Sequence, residues 1–319
     1  MLYGIFLFCV VLGTIELCYR FQVIDFYSNV FSALNTEHEQ EQEQEQGNKE
    51  IVLILGDSFS AYNQCYVENL RNEYPNLDFV NLSVPGIGIL QQKIILERKL
   101  KTYNPKYILY QYYVGNDLTD IRHPINWNTL SFSRNLYWLF GDKLLILQYL
   151  NWKLGSLRTD NKSGEAIKSN SFSQETYNAR SKTFLQSDSL LLYNQVLLKG
   201  DAKINFEDWK SNMNELVSSM PTSAKMIVLL IPHCIQVNSE YQQRFTELGA
   251  HTKNIPIAAD YPILNEIKKA LPNSLVINPL KDFIELDTNT SFYFANDPHL
   301  TEIGQTVLAK TIIQQNIFN

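Results

Sequence analysis

The stretch "IVLILGDSFS", residues 51–60, sets five aliphatic residues against a glycine, a carboxylate and a hydroxyl. Apolar residues without polar alternation are the pattern of a strand buried on both faces, as in a parallel sheet. In open α/β sheets ligands bind beyond the carboxyl ends of the strands, where Gly56, Asp57 and Ser58 would stand. Alone, the three residues also suit an ordinary strand-to-helix turn with Ser58 as a helix cap. The rest of the chain decides between the two.

After this stretch strands and amphipathic helices alternate. A helix is expected from about Ser60 to Arg71, a second strand over 79–82, and a helix through about Tyr103. "YILYQYYV" at 107–114 gives a third strand and "MIVLLI" at 226–231 a fourth, the latter preceded by Phe206, Trp209, Met213 and Leu216 at helical spacing. A helix over 261–270, a short strand at 275–278 and a closing helix from near Glu302 complete the order. Such alternation predicts right-handed βαβ units and a doubly wound parallel sheet. Residues 120–200 break the pattern. They carry Trp127, Tyr137, Trp138, Phe140, Tyr149 and Trp152 among leucines. So long an insertion on the C-terminal side of a sheet suits a lid or substrate cap, although most of these aromatics are expected to pack within the insertion itself.

Hydrophobic residues make up 45% of the 319 and charged residues 19%, an ordinary globular composition. Of the net charge of −6, the stretch 37–50 carries −5 (six Glu, one Lys), leaving −1 for everything else and no basic patch for nucleic acid. This Glu/Gln tract solvates itself and reads as a linker over 25–50. Ahead of it, residues 2–15 are uncharged and Leu17, Cys18 and Tyr19 extend the run past Glu16. With no basic n-region and no small-residue cleavage site, a membrane anchor over 1–24 is expected rather than a cleaved signal, with the body, 51–319, on the extracytoplasmic (periplasmic) side. Four cysteines are too few for a disulfide scaffold.

The chemistry gathers at the strand ends. Strand one ends at Gly56-Asp57-Ser58, strand two runs to Gly86, and strand three ends at Gly115-Asn116-Asp117, all on one rim. "FANDPHLTEIG" puts Asp297 two residues before His299 in a loop after the fifth strand. A hydroxyl, an imidazole, a carboxylate and several donors are the parts for acyl transfer. Ser58 would be the nucleophile, His299 its base, and Asp297 the group that fixes the tautomer and stabilises the imidazolium. The N–H groups of Ser58 and Gly86, with the Asn116 amide, would surround the oxyanion. Asp57 is unsuited as the base, because neighbours in an extended segment point apart. His233, in "IPHC", is expected to be a satisfied loop histidine or a substrate contact, and His123 a surface residue. Neither pairs with ligands at a metal spacing, so no metal is expected.

"GDSFS", "NLSVPGIG", "VGNDL" and "DPHL" together resemble the four blocks of the GDSL, or SGNH, hydrolase superfamily, over about residues 50–315. The resemblance implies a three-layer, flavodoxin-like α/β fold with a five-stranded parallel sheet, cofactor-free and metal-free ester chemistry, and Ser58, Gly86, Asn116 and His299 as the name-giving residues. In the commonest family pattern the acid lies three residues before the histidine, where this chain has Asn296. The two-residue spacing to Asp297 is similar to that of membrane-linked polysaccharide O-acetyltransferases and their relatives. Together these point to a serine esterase that removes O-acyl groups, foremost O-acetyl, from an envelope glycan. The alternatives are an O-acetyltransferase using the same triad, a lipase or thioesterase, and an idle glycan-binding module.

Overall fold

A computed structural model describes residues 2–34, 49–62, 64–141, 143–157, 169–287 and 291–318. Most of the Glu/Gln tract therefore lies outside the described residues. The five strands are β1 (Glu50–Leu55), β2 (Leu77–Asn81), β3 (Tyr107–Tyr113), β4 (Lys225–Ile231) and β5 (Leu275–Ile277). They form one sheet in the order β2-β1-β3-β4-β5, and every pairing is parallel. This is the doubly wound α/β architecture expected above. Register is set at the centre, where Val52 lies opposite both Phe79 and Tyr107, and Tyr110 opposite Val228. All seven residues of β3 are buried, as are Val52 to Leu55 of β1, so apolar burial on both faces is what selects these strands.

Helices fill both faces. Tyr66–Glu73 packs on the closing helix Glu302–Gln314, while Ile89–Lys99 packs on the long helix Gly200–Ser219. Right-handed crossovers place these pairs on opposite sides, because the strand order reverses at β1. The helix expected from Ser60 to Arg71 is in fact two, a single turn Ser58–Ala61 and then Tyr66–Glu73. Between them Gln64 adopts φ +66, a left-handed conformation that no helix continues through.

The N-terminal helix α1 (Leu2–Arg20) is long and apolar enough to cross a membrane, with 12% of its most apolar window buried. Residues 25–34, inside the segment read as linker, form the helix Phe26–Val30 and a 3-10 turn, and Phe31 joins the main core. The insertion is helical. It holds α2 (Phe132–Phe140), α3 (Leu145–Leu157), α4 (Ala179–Ser187) and α5 (Leu191–Leu197), counting from α1.

The junction of β1 with the site is sterically closed. A Cβ on Gly56 would lie 2.6 Å from Gln111 Oε1 and 2.8 Å from Ser60 Oγ. Both atoms are fixed by hydrogen bonds, so neither yields cheaply. Gly56→Ala should therefore destabilise the protein by about 1–3 kcal/mol, the usual cost of overpacking a core. A urea midpoint shifted down at unchanged slope is the expected result.

Candidate active site

Ser58 begins the single turn after β1, capped by Asp57, whose Oδ1 accepts the Phe59 N–H at 3.0 Å. The turn is held from beneath. Gln111, buried in the middle of β3, accepts from the Asp57 N–H at 3.0 Å and the Ser60 hydroxyl at 3.1 Å through one oxygen.

His299 reaches the same rim from the far end of the chain. An antiparallel bridge between Tyr293 and Leu300 closes its loop. The Tyr293 hydroxyl ties that loop to the end of β4 by donating to Pro232 O at 2.7 Å. His299 Nε2 then lies 2.7 Å from Ser58 Oγ, and Nδ1 is hydrogen-bonded to Asp297 Oδ1. Asp297 Oδ1 also accepts the His299 backbone N–H at 2.9 Å, and its Oδ2 accepts from Asn178 Nδ2 at 2.7 Å. Asn296 does not face the imidazole. It is fully buried, accepting from Ser173 N at 2.6 Å and donating to Ser171 O at 2.9 Å.

The electrostatics of this chain of contacts are one-directional. Burial alone would depress His299, but the hydrogen bond and charge of Asp297, with a smaller push from Asp57, outweigh it and raise its pKa above 6.5. Burial likewise favours a neutral Asp297, yet its bonds to His299 and Asn178 hold it below the usual carboxylate range. Asp117 goes the other way. Burial, with the nearby charge of Asp57, pushes it well above that range, and it accepts from Tyr113 N at 2.7 Å.

Asn116 lines the cavity of Ser58 and His299, and its amide donates to Asp57 Oδ2 at 3.1 Å. That cavity, of about 90 Å³, is walled by Phe59, Tyr113, Leu185, Leu192 and Phe245. Gly86 lines a larger adjoining cavity of about 450 Å³, and the two share Arg180 and Phe184. Its φ of +77 is the left-handed conformation that favours glycine, and a Cβ there would stand 3.1 Å from the Arg180 guanidinium.

His233 is buried against the first cavity, stacked on Tyr113, with Nδ1 accepting from Ile235 N; burial pushes its pKa down to about 3. His123, expected at the surface, is half-buried, its ring stacked on Trp138 at 5.2 Å. Among the described residues no group of three or more His, Cys, Asp or Glu side chains is arranged to hold a metal.

Sequence reasoning missed three residues. Gln111 had a signal, a lone amide in an otherwise apolar strand. Asn178 had none, since it caps α4 across 119 residues from Asp297. Arg180, two residues on, donates to Asp120 Oδ1 at 2.7 Å and borders both cavities.

No family model and no curated protein matches the sequence. Among solved structures the chain is similar to a variant of Axe2, an acetyl-xylooligosaccharide esterase from Geobacillus stearothermophilus, at 12% identity and TM-score 0.43 over 86% of this chain and 97% of that one. It is also similar to a member of the lipolytic protein G-D-S-L family from Veillonella parvula, at 14% identity and TM-score 0.39 over 84% and 97%. A third is the acetyl xylan esterase AlAXEase, at 12% and 0.40 over 84% and 100%. These likenesses are distant, and what the site can do is read from its own geometry.

Because the raised pKa of His299 depends on a charge, it should be reversible. NMR titration of the imidazole should place His299 above 6.5 in the native protein and below 6.5 in Asp297→Asn, where only the smaller push from Asp57 opposes burial. The sign also fixes stability. A raised folded pKa adds stability that is complete below the unfolded value of about 6.5 and is lost as pH rises through the folded value.

Proposed function

We propose that this chain is a serine ester hydrolase of the GDSL/SGNH kind, with Ser58, His299 and Asp297 as its triad. The observation that carries the reading is the continuous contact from Ser58 Oγ through the imidazole to a carboxylate held ionised. In this scheme Ser58 Oγ attacks the ester carbonyl as its proton passes to His299 Nε2, and Asp297 stabilises the imidazolium. The N–H groups of Ser58 and Gly86 and the second N–H of the Asn116 amide are the proposed donors to the oxyanion. Loss of one such donor typically costs about 3 kcal/mol of transition-state stabilisation. Collapse of the tetrahedral species breaks the C–O bond, the alcohol takes the proton from His299, and water releases the acid from acyl-Ser58 by the same route.

The acyl group in this reading is short. A space of about 90 Å³ walled by Phe59, Leu185, Leu192 and Phe245 matches an acetyl group in size, which favours an acetylesterase over a lipase, although Ser58 and His299 also border a second space of about 450 Å³ beside Tyr62 and Gln305. The larger cavity beside Gly86, with Trp152, Asn151 and Gln148 on its wall, offers the aromatic and amide surface on which a sugar alcohol could rest. An O-acetylated envelope glycan is accordingly the proposed substrate, reached by a domain tethered to the membrane through α1.

Three outcomes test this. Ser58→Ala should keep its fold and lose at least about a thousandfold in turnover of p-nitrophenyl acetate. The native enzyme should prefer the acetyl over the octanoyl ester by about a hundredfold or more in kcat/KM, as a small acyl pocket discriminates by chain length. Its rate should rise with pH through the raised His299 pKa, because only the neutral imidazole accepts the Ser58 proton. A mutant retaining a tenth of native activity would remove Ser58 as nucleophile.

A further inference from the structure

The N-terminal helix does not stand clear of the domain. In its first half Leu2, Tyr3, Phe6, Leu7, Phe8, Val10 and Val11 are exposed, but Leu12, Ile15 and Tyr19 pack against Leu144, Leu145, Ile146 and Tyr149 at the start of α3. Polar contacts lock this joint. Glu16 accepts the Ile146 backbone N–H at 2.9 Å and the Arg20 guanidinium at 2.7 Å, and Arg20 also donates to Lys143 O. A helix rising about 1.5 Å per residue gains only about 15 Å from ten free residues, half of the roughly 30 Å hydrocarbon core. If α1 crosses a bilayer, its packed half must enter too and carry the start of α3 with it.

The surface around that joint is built for such a depth. Phe132, Leu136, Leu139 and Phe140 recur at helical spacing on α2 and are all exposed. Phe140 stands three residues before Lys143, whose carbonyl Arg20 binds. Leu150 and Leu154 on α3, and Phe21, Val23 and Ile24 after α1, are exposed as well. Trp152 and Tyr149 lie beneath the Lys153 ammonium at 4.7 and 6.0 Å, the pairing of aromatic ring and snorkelling cation that favours a headgroup layer.

We propose that α2 and α3 form a platform seated in the bilayer interface, continuous with α1, so that the domain is held against the lipid and not on a free tether. This rests on the proposed membrane role of α1. The cavity beside Gly86 is walled by Trp138 of α2 and by Gln148 and Trp152 of α3, so the platform sets its mouth at the lipid surface. Substrate would then be an ester displayed close to the membrane.

The test uses the full chain in vesicles of phosphatidylethanolamine and phosphatidylglycerol carrying nitroxide-labelled lipid. With Cys9 and Cys18 replaced by Ala, an environment-sensitive fluorophore is attached at Phe6→Cys, Leu136→Cys, Phe140→Cys or Ser218→Cys, the last on an exposed residue near the N-terminal end of the sheet. Quenching at 6, 136 and 140, and none at 218, is the expected result. Quenching at 6 with none at 136 and 140 would overturn the platform while leaving the anchor intact. Absence of quenching at 6 would overturn both, whatever happens at 136, because the platform is derived from the depth of α1. Turnover of p-nitrophenyl acetate in the same samples reports on the proposed esterase separately, since none of the labelled residues lines the Ser58 cavity.

Discussion

Everything at the rim depends on how the end of β1 meets the middle of β3. Gln111 is the only amide in a strand otherwise made of Tyr, Ile and Leu, and burying it without partners would be costly. One oxygen instead accepts two donors, the Asp57 N–H and the Ser60 hydroxyl, and so fixes the turn that begins at Ser58. The contact is possible because residue 56 has no side chain. Fold and site thus share one constraint. The same close approach that seals the β1–β3 seam aims the hydroxyl of Ser58 out of it.

Two carboxylates act on the His299 imidazole, Asp297 and Asp57, and two more stand further along the rim, Asp117 and Asp120; geometry gives each a different task. Asp297 alone bonds the ring, and Asn178 and the His299 N–H keep it charged. Asp57 is spent on capping the Ser58 turn and on holding the Asn116 amide. Asp117 is driven towards neutrality by burial and closes the turn after β3. Asp120 balances Arg180 at the mouth of the cavities. A protonated His299 sits beside the charges of Asp297 and Asp57, which is why a buried histidine keeps a raised affinity for its proton.

The strands and the contact of Ser58 with His299 were legible because both follow local rules. Short aliphatic runs of about five to seven residues between turn signals suit buried strands of a parallel sheet, and the polar residues that end them then lie on its carboxyl rim. Asp297 was preferred to Asn296 because an asparagine cannot offset the charge of an imidazolium, and it is Asp297, not Asn296, that contacts the ring. What was not legible depends on contacts distant in sequence. The helix stops after Ala61 because Tyr62 turns extended, and Gln64 follows in a left-handed conformation for which it has no strong preference. Asn178 is one polar residue in a segment without periodicity, and its partner lies 119 positions away. The burial of His123 follows from a stack with Trp138 and Phe184 that no spacing announces.

The insertion was read as a lid, but its contacts describe a structural member of the site. Ser171 and Ser173 hold Asn296, the Asn178 N–H donates to Asn296 O, and the Asn178 side chain holds Asp297. A segment that swung away would strip the acid of one hydrogen bond and leave the buried Asn296 amide unsatisfied, a penalty of about 1–3 kcal/mol for each such group. Closure over substrate therefore cannot be the work of residues 171–178. Those residues are the far wall of the relay, and α4, which they lead into, presents Arg180 and Phe184 to both cavities. The aromatic helices α2 and α3 stand on the other side of that wall, joined to α1 through Glu16 and Arg20. Two separate contacts thus meet in the insertion, α1 packed on the start of α3 and Trp138 of α2 stacked on Phe184 of α4, whose N-cap Asn178 holds Asp297.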